Sequence, residues 1–249
     1  MRVIAIINQK GGVAKTTTTI NLATGLSRAG KRVLVIDFDP QGNTSTWFCK
    51  KSDKTMYDLL INSVHPAECI VNINQQLDLI TSNSDLAKAE LVISGMNSRE
   101  TLLRRKMSPV INYDYILIDC PPSISLLNIN ALVYASEAFI PVSTDFLALD
   151  ALKKMQITID EINDLFSHNI KITTVIPTLF DRRNKSCTDI LNEIKRGYED
   201  RVSSPIRVNS KLKEAPGKGK DIFEYAKNSR GAEDYMKLTQ AVIASEYFN

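Results

Sequence analysis

The sequence lacks the cysteine spacing that metal sites and disulfide frameworks use. Its four cysteines, Cys49, Cys69, Cys120 and Cys187, include no CxxC pair. Neither a zinc site nor an iron–sulfur cluster therefore has a local signature. We expect reduced thiols and a cytoplasmic location.

Long apolar runs are also absent. No stretch approaches the roughly 20 apolar residues of a membrane-spanning helix. The first apolar run, residues 3–7, is too short for a secretory signal and leads into a polar loop, so we expect no signal peptide. We also expect no separate DNA-reading domain ahead of that loop, because the run starts so close to Met1.

Charge and composition exclude little by themselves. The net charge of +3 over 249 residues is too small to name a partner. Linkers, low-complexity tracts and internal repeats are absent, so we expect one domain over residues 1–249.

Short apolar, β-branched runs recur along the chain and predict strands buried on both faces, as in parallel sheets. The runs are 3–7, 33–36, 115–118, 138–142 and 170–176. Helical patterns lie at 16–29, 147–166 and 231–246. This alternation predicts an α/β fold with a doubly wound, mostly parallel sheet flanked by helices.

The segment after the first strand has the composition of a phosphate-binding loop. Gly11 and Gly12 allow the backbone to approach a phosphate closely, and a helix begins directly afterwards. Lys15 would reach the β and γ phosphates, and the Thr16 hydroxyl would bind Mg²⁺. We therefore predict a site for ATP with Mg²⁺, formed by Lys10, Gly11, Gly12, Val13, Ala14, Lys15, Thr16 and Thr17.

Three aspartates follow predicted strands. Asp37 and Asp39 come after the second predicted strand, and Asp119 ends the third. Carboxylates at the carboxyl ends of parallel strands face the ligand crevice. Hydrolysis of a phosphoanhydride needs a magnesium shell and an oriented water, and such carboxylates can support both.

The spacing Lys10-Gly11-Gly12-x-x-Lys15-Thr16 resembles the deviant Walker A loop of the ParA/MinD family of P-loop ATPases. The resemblance implies that Lys10 contacts the nucleotide of the partner subunit in an ATP-bound homodimer. Gln9 departs from the strict P-loop pattern, which has its first glycine there, and Ala14 stands where the family usually has glycine.

The same resemblance assigns roles to the remaining polar residues. Lys10, Lys15 and Asp39 are expected to be catalytic, with Asp39 positioning or activating the water. Thr16, Asp37 and Asp119 are expected to support the metal.

The C-terminal half resembles the ParA/Soj partition branch of the family. The motifs are Lys211–Lys220, Ser229–Tyr235 and Pro177–Asp181. The branch implies nucleotide contacts by Pro177 and Asn209. It also implies slow hydrolysis that a ParB-like adaptor protein stimulates.

Basic residues outnumber acidic ones by 13 to 8 between Asp181 and Arg230. Phosphate backbones attract such segments without reading sequence. With the resemblance, this predicts that the ATP-bound dimer binds double-stranded DNA non-specifically and associates with the nucleoid. The expected DNA contacts are Arg182, Arg183, Lys211 and Lys213.

A MinD-like, membrane-associated positioning ATPase is the alternative. Such proteins end in a basic amphipathic helix that docks on lipid. Residues 238–249 contain no lysine or arginine, so we expect no membrane partner. The cargo, whether plasmid, chromosome or protein assembly, stays open.

Overall fold

A computed structural model describes residues 1–123 and 125–248, and the strands of this part of the chain form one seven-stranded sheet. The order is β3-β4-β2-β5-β1-β6-β7, and every neighbouring pair is parallel except β3 with β4. The strands are β1 Arg2–Ile6, β2 Val33–Asp37, β3 Ile70–Asn74, β4 Leu77–Ile80, β5 Tyr115–Asp119, β6 Glu137–Ser143 and β7 Lys171–Thr178.

Helices cover both faces of the sheet. The α-helices are α1 Lys15–Arg28, α2 Asn43–Trp47, α3 Met56–Leu60, α4 Pro66–Cys69, α5 Asp85–Ser94, α6 Leu102–Met107, α7 Leu126–Tyr134, α8 Ala148–Phe166, α9 Lys185–Tyr198, α10 Ser210–Glu214, α11 Ile222–Tyr225 and α12 Arg230–Ala244. Successive side chains of a strand point to opposite faces, so one core includes Ala5 and Ile116 while the other includes Ile4 and Leu117.

The predicted α/β architecture is confirmed: the sheet is doubly wound and mostly parallel. All five predicted strands and all three predicted helices are present, with ends shifted by one or two residues. Strands β3 and β4 were not predicted. Asn249, the last residue of the segment 238–249 that lacks lysine and arginine, lies outside the described residues.

The residues that the sequence singles out lie together at the carboxyl ends of central strands. Strand β5 lies between β1 and β2, and Asp119 pairs in register with both Ile6 and Asp37. The loop after β1 therefore meets the aspartates that end β2 and β5. All three lie at the carboxyl ends of adjacent strands. This is the edge where open α/β sheets bind ligands.

Candidate functional site

The loop between β1 and α1 curls around its own lysine. Gly12 and Ala14 have φ angles of 74° and 67°, so the chain turns through the left-handed region twice before α1. The Lys15 amine donates to the carbonyls of Asn8 at 3.0 Å and Lys10 at 3.1 Å. Burial lowers the pKa of Lys15, against the attraction of Asp119. The Lys15 ammonium group therefore lies within the turn of the loop backbone, an arrangement suited to binding phosphate.

Asn8 fastens the loop to the sheet. Its side-chain amide donates to Pro141 O at 2.8 Å, and its Oδ1 accepts from Lys10 N at 2.9 Å. At the far end of the loop, Thr178 donates to Val13 O at 3.1 Å. The loop is therefore held from β6 and from β7 before any ligand arrives.

Asp119 is the hub of a buried hydroxyl cluster. It accepts from Thr16 at 2.8 Å, from Thr44 at 2.7 Å and from Thr19 at 3.2 Å. Burial raises its pKa to about 6, although these hydroxyls oppose the shift. Thr16 and Asp119, which are both expected to support the metal, are therefore in direct contact.

Asp37 lies beside Asp119 on the neighbouring strand. Its Oδ2 accepts from the Ser45 backbone N–H at 2.9 Å and from the Ser45 hydroxyl at 2.7 Å, whereas its buried Oδ1 has no partner. Burial, and then repulsion from Asp119, raises the pKa of Asp37 to about 7. Two buried carboxylates and an unsatisfied oxygen fit a nearby cation.

These residues suit Mg²⁺ shared with a nucleotide better than a cage made by protein alone. Within residues 1–123 and 125–248, no group of three or more His, Cys, Asp or Glu side chains could hold a metal ion. Mg²⁺ commonly binds one or two carboxylates together with waters and substrate phosphates. Thr16, Asp37 and Asp119 could supply the protein's share.

Asp39 is buried at the start of the loop after β2. Its Oδ1 accepts from Gln41 N at 2.9 Å, which forms a tight turn. Gly42 continues the turn with a φ of 63°, and a Cβ there would lie 2.9 Å from Ser82 O. The turn fixes the Asp39 carboxylate at the same sheet edge as Asp37 and Asp119.

The Lys10 side chain bonds to a carboxylate outside this cluster. Its amine contacts Asp145 Oδ2 at 2.5 Å and Ser143 Oγ at 3.3 Å, and Ser143 also donates to Asp145 at 2.6 Å. Partial burial opposes ionisation of Asp145, but the hydrogen bonds from Lys10 and Ser143 prevail and lower its pKa. The Lys10 side chain is 31% exposed, and the adjacent Phe146 is 91% exposed. In the single chain, Lys10 is thus held at the surface.

The two predicted nucleotide contacts in the C-terminal half have structural partners. Pro177 lies near the end of β7, and its carbonyl accepts from Ile206 N at 2.8 Å. Asn209 caps α10 by accepting from Lys211 N at 2.8 Å. Contact of either residue with a nucleotide stays a prediction.

The predicted DNA contacts are all exposed. Arg182 and Arg183 follow β7, and Arg183 is paired with Asp181 at 2.7 Å. Lys211 and Lys213 lie on α10, and Lys211 is paired with Glu214 at 2.8 Å.

Several residues of the site escaped the sequence reasoning. Asn8, Thr19, Thr44 and Ser45 all bond to the loop or to the buried aspartates. A signal existed for two of them, since Thr44 and Ser45 follow the Asp39 turn within a few residues. Asp145 gave no local signal, because its partner lies 135 positions earlier in the chain.

Comparison with known proteins agrees with this geometry. Residues 1–172 match a family model described as an AAA domain. The chain is 40% identical to the sporulation initiation inhibitor protein Soj of Bacillus subtilis, covering 98% of this chain and 99% of that protein. It is 36% identical to the chromosome partitioning protein ParA of Caulobacter vibrioides, covering 99% and 95%.

A solved structure extends the likeness to three dimensions. Cobyrinic acid a,c-diamide synthase from Mycobacterium smegmatis, with a bound ATP analogue and magnesium, superposes with a TM-score of 0.84. The two chains are 29% identical, and the match covers 99% of this chain and 96% of that one.

Proposed function

Because the chain belongs to the ParA/Soj family of P-loop ATPases, we propose that it is an ATP-gated dimer that positions cargo on DNA. Residues 1–249 would act as one ATPase domain with ATP and Mg²⁺ as cofactors. The observation that carries the proposal is the convergence of Lys15, the Thr16–Asp119 pair and Asp39 at one sheet edge.

Each of these residues has a defined task in the proposed hydrolysis. Lys15 and the backbone N–H groups of residues 10–17 bind the phosphates and offset the charge that develops on them. A bound Mg²⁺ would supply positive charge that offsets the charge on the leaving group. Thr16, Asp37 and Asp119 hold its side of the site, and Asp39 orients the attacking water.

Hydrolysis by the chain alone is expected to be slow. None of the described hydrogen bonds around Lys15, Asp39 or Asp119 involves an arginine. A positioned arginine is worth about 10³ to 10⁵ in the rate of such reactions. A ParB-like adaptor that completes the site would therefore control when ATP is hydrolysed.

Lys10 couples the nucleotide to dimerisation in this proposal. It leaves Asp145 and contacts the phosphates bound by the partner subunit. The exchange is feasible because an ion pair this exposed is worth only about 0.2–1 kcal/mol. Phosphates in a partly dry interface attract a cation more strongly.

DNA binding follows from the dimer. Arg182, Arg183, Lys211 and Lys213 are exposed cations, and dimerisation doubles their number. Two linked surfaces bind a polymer with an avidity that one lacks. ATP would thus govern residence on the nucleoid in the cytoplasm, and adaptor-stimulated hydrolysis would release the protein where cargo is present.

The MinD-like alternative is less compatible with the C-terminal helix. In α12, Leu238 and Val242 are buried against the sheet, so this apolar face is already used. In the part of the chain that the structure describes, no helix could span a bilayer.

Retention on random duplex DNA tests the proposal. We would compare ATP, ADP and no nucleotide at two salt concentrations. Retention with ATP alone, weaker at higher salt, is expected. Equal retention in all three states would refute ATP gating, and no retention with ATP at low salt would refute DNA binding.

A further inference from the structure

Four arginines line one cavity beyond the end of β7. The cavity has a volume of about 580 Å³, and its charged lining consists of Arg182, Arg183, Arg207 and Arg230 together with one acidic residue, Asp181. These residues come from three separate parts of the chain: the loop after β7, the segment before α10, and the first position of α12. Only the first two of the four were identified from the sequence as DNA contacts.

Arg207 is held in place by hydrogen bonds, and two carboxylates balance its charge. It donates to the buried Asp234 at 2.6 Å and to Glu233 at 2.7 Å, and its backbone N–H also donates to Asp234 at 2.9 Å. These bonds, to Asp234 first, raise the pKa of Arg207. Arg207 therefore forms a rigid wall that positions the first turn of α12 against the cavity.

The other three arginines are not equally compensated. Arg183 is paired with Asp181 at 2.7 Å. Arg182 and Arg230 are both exposed, and within the described part of the chain neither has an ion pair. Asp181, the carboxylate among the described residues that line the cavity, is already paired with Arg183, so the guanidinium groups of Arg182 and Arg230 have no carboxylate partner there.

Helix stability does not explain the position of Arg230. It is the first residue of α12, a 15-residue helix whose N-cap is Ser229. Positive charge at a helix N-terminus opposes the helix dipole, so acidic side chains are favoured there. A free arginine in this position, beside three others, is unfavourable until an anion occupies the space between them.

We propose that this arginine cavity binds a phosphate group of the DNA backbone, with Arg230 and Arg182 as its donors. The guanidinium fork matches the paired oxygens of a phosphodiester. DNA suits the site better than a small anion because the cationic surface continues beyond the cavity. Val208 lines the cavity, Asn209 follows it, and α10 then presents Lys211 and Lys213. Evenly spaced phosphates fit such a row.

The inference rests on the proposed DNA-binding function and ranks the contributing residues. Lys211 and Arg183 must each give up an internal carboxylate partner before they bind a phosphate. Arg230 and Arg182 have no such partner to lose. We therefore expect Arg230, which the sequence did not single out, to contribute more to DNA affinity than Lys211.

The test measures the affinity of the full-length chain for a labelled random duplex, in the presence of Mg²⁺ and a non-hydrolysable ATP analogue. The variants are Arg230→Ala, Arg230→Lys and Lys211→Ala. Lys227→Ala is the matched control, because it removes the same charge from an exposed residue nearby that does not line the cavity. ATP affinity and light scattering are measured on every variant.

We expect Arg230→Ala to weaken DNA binding about tenfold and to reduce the salt slope by about 1 per chain. The DNA affinity of Arg230→Lys should lie between that of the unchanged chain and that of Arg230→Ala. Lys211→Ala and Lys227→Ala should each weaken DNA binding less than about threefold. ATP affinity and dimerisation should be unchanged. Equal losses for Arg230→Ala and Lys227→Ala would overturn the inference, because net charge alone would then explain the data.

Two further outcomes separate the inference from its foundation. Loss of ATP affinity in Arg230→Ala with intact DNA binding would assign the cavity to the nucleotide and overturn the inference alone. Failure of the unchanged chain to bind DNA would overturn the proposed function and the inference with it.

Discussion

At the scale of single residues, the phosphate loop contains a position that its side chain does not favour. Ala14 has a φ of 67°, where an L-residue with a Cβ is strained and glycine is not. We expect Ala14→Gly to increase the free energy of unfolding by about 1 kcal/mol, since relieved strain exceeds the added freedom of the unfolded chain. Urea denaturation without nucleotide measures it.

Ala87→Gly is the control for that substitution. Ala87 is exposed within α5, where glycine should cost about 1 kcal/mol. Opposite signs for the two variants are expected. A loss of stability at both positions would show that the loop is relaxed with alanine.

Asp37 should make the stability of the metal-free protein depend on pH. Its pKa is raised to about 7 by burial and by Asp119, so folding favours the protonated form. The folded state therefore loses stability as pH rises from about 4 through 7. Asp37→Asn should raise the melting temperature of nucleotide-free protein at pH 8 and leave it nearly unchanged at pH 4. An equal gain at both pH values would contradict this assignment.

Asp39 bears the proposed hydrolytic step. Asp39→Ala should retain ATP binding, because the proposed phosphate contacts come from the loop 10–17, and should lose turnover. Equilibrium binding of a labelled ATP analogue and steady-state phosphate release measure the two properties separately. Wild-type turnover in this variant would remove Asp39 from the mechanism.

Local patterns were enough to predict the loop and the three aspartates, because each follows a strand that is itself readable. They were insufficient for Thr44 and Asp145. The contact of Thr44 with Asp119 depends on β5 lying between β1 and β2. That strand order is set by tertiary packing, which no short window of sequence encodes.

At the scale of elements, the strands that the sequence predicted are those with a continuous apolar run. Strands β1, β2 and β5 are almost wholly buried and read as continuous apolar runs. Strand β3 is an edge strand, alternates apolar residues with asparagine, and has no fully buried residue. Strand β4 has four residues, one of them Asp78. Such strands carry too little hydrophobic signal to be distinguished from loops.

The contact between α1 and α12 depends on a glycine. A Cβ on Gly25 would lie 2.2 Å from Thr239 Oγ1, so the two helices could not keep their spacing. We expect Gly25→Ala to destabilise the protein by about 1–3 kcal/mol despite the better helix propensity of alanine. Thermal and urea unfolding measure this loss.

Two variants isolate the cause. Gly197→Ala changes a glycine of α9 that has nothing within 4 Å of the added Cβ, and it should stabilise by up to about 1 kcal/mol. Thr239→Ala should partly rescue Gly25→Ala by removing the Oγ1. If the double variant were as unstable as Gly25→Ala, close helix packing would not be the reason.

At the scale of the whole molecule, the single chain binds Lys10 with its own residues. Lys10 is bound to Asp145 and Ser143 at the surface, beside the exposed Phe146. We expect Asp145→Asn to lower the protein concentration needed for ATP-dependent dimerisation by about two- to fivefold, because it removes a weak, competing ion pair. Analytical ultracentrifugation across a dilution series measures it. A higher required concentration would mean that Asp145 positions Lys10 for the dimer instead of restraining it.

The central claim is that bound ATP joins two chains through Lys10, and light scattering at micromolar protein tests it most directly. With Mg²⁺ and a non-hydrolysable ATP analogue, the unchanged chain should have the mass of a dimer, and with ADP that of a monomer. Lys10→Ala should bind the analogue and stay monomeric. A monomeric mass for the unchanged chain with the analogue, or a dimer formed equally well by Lys10→Ala, would contradict the account.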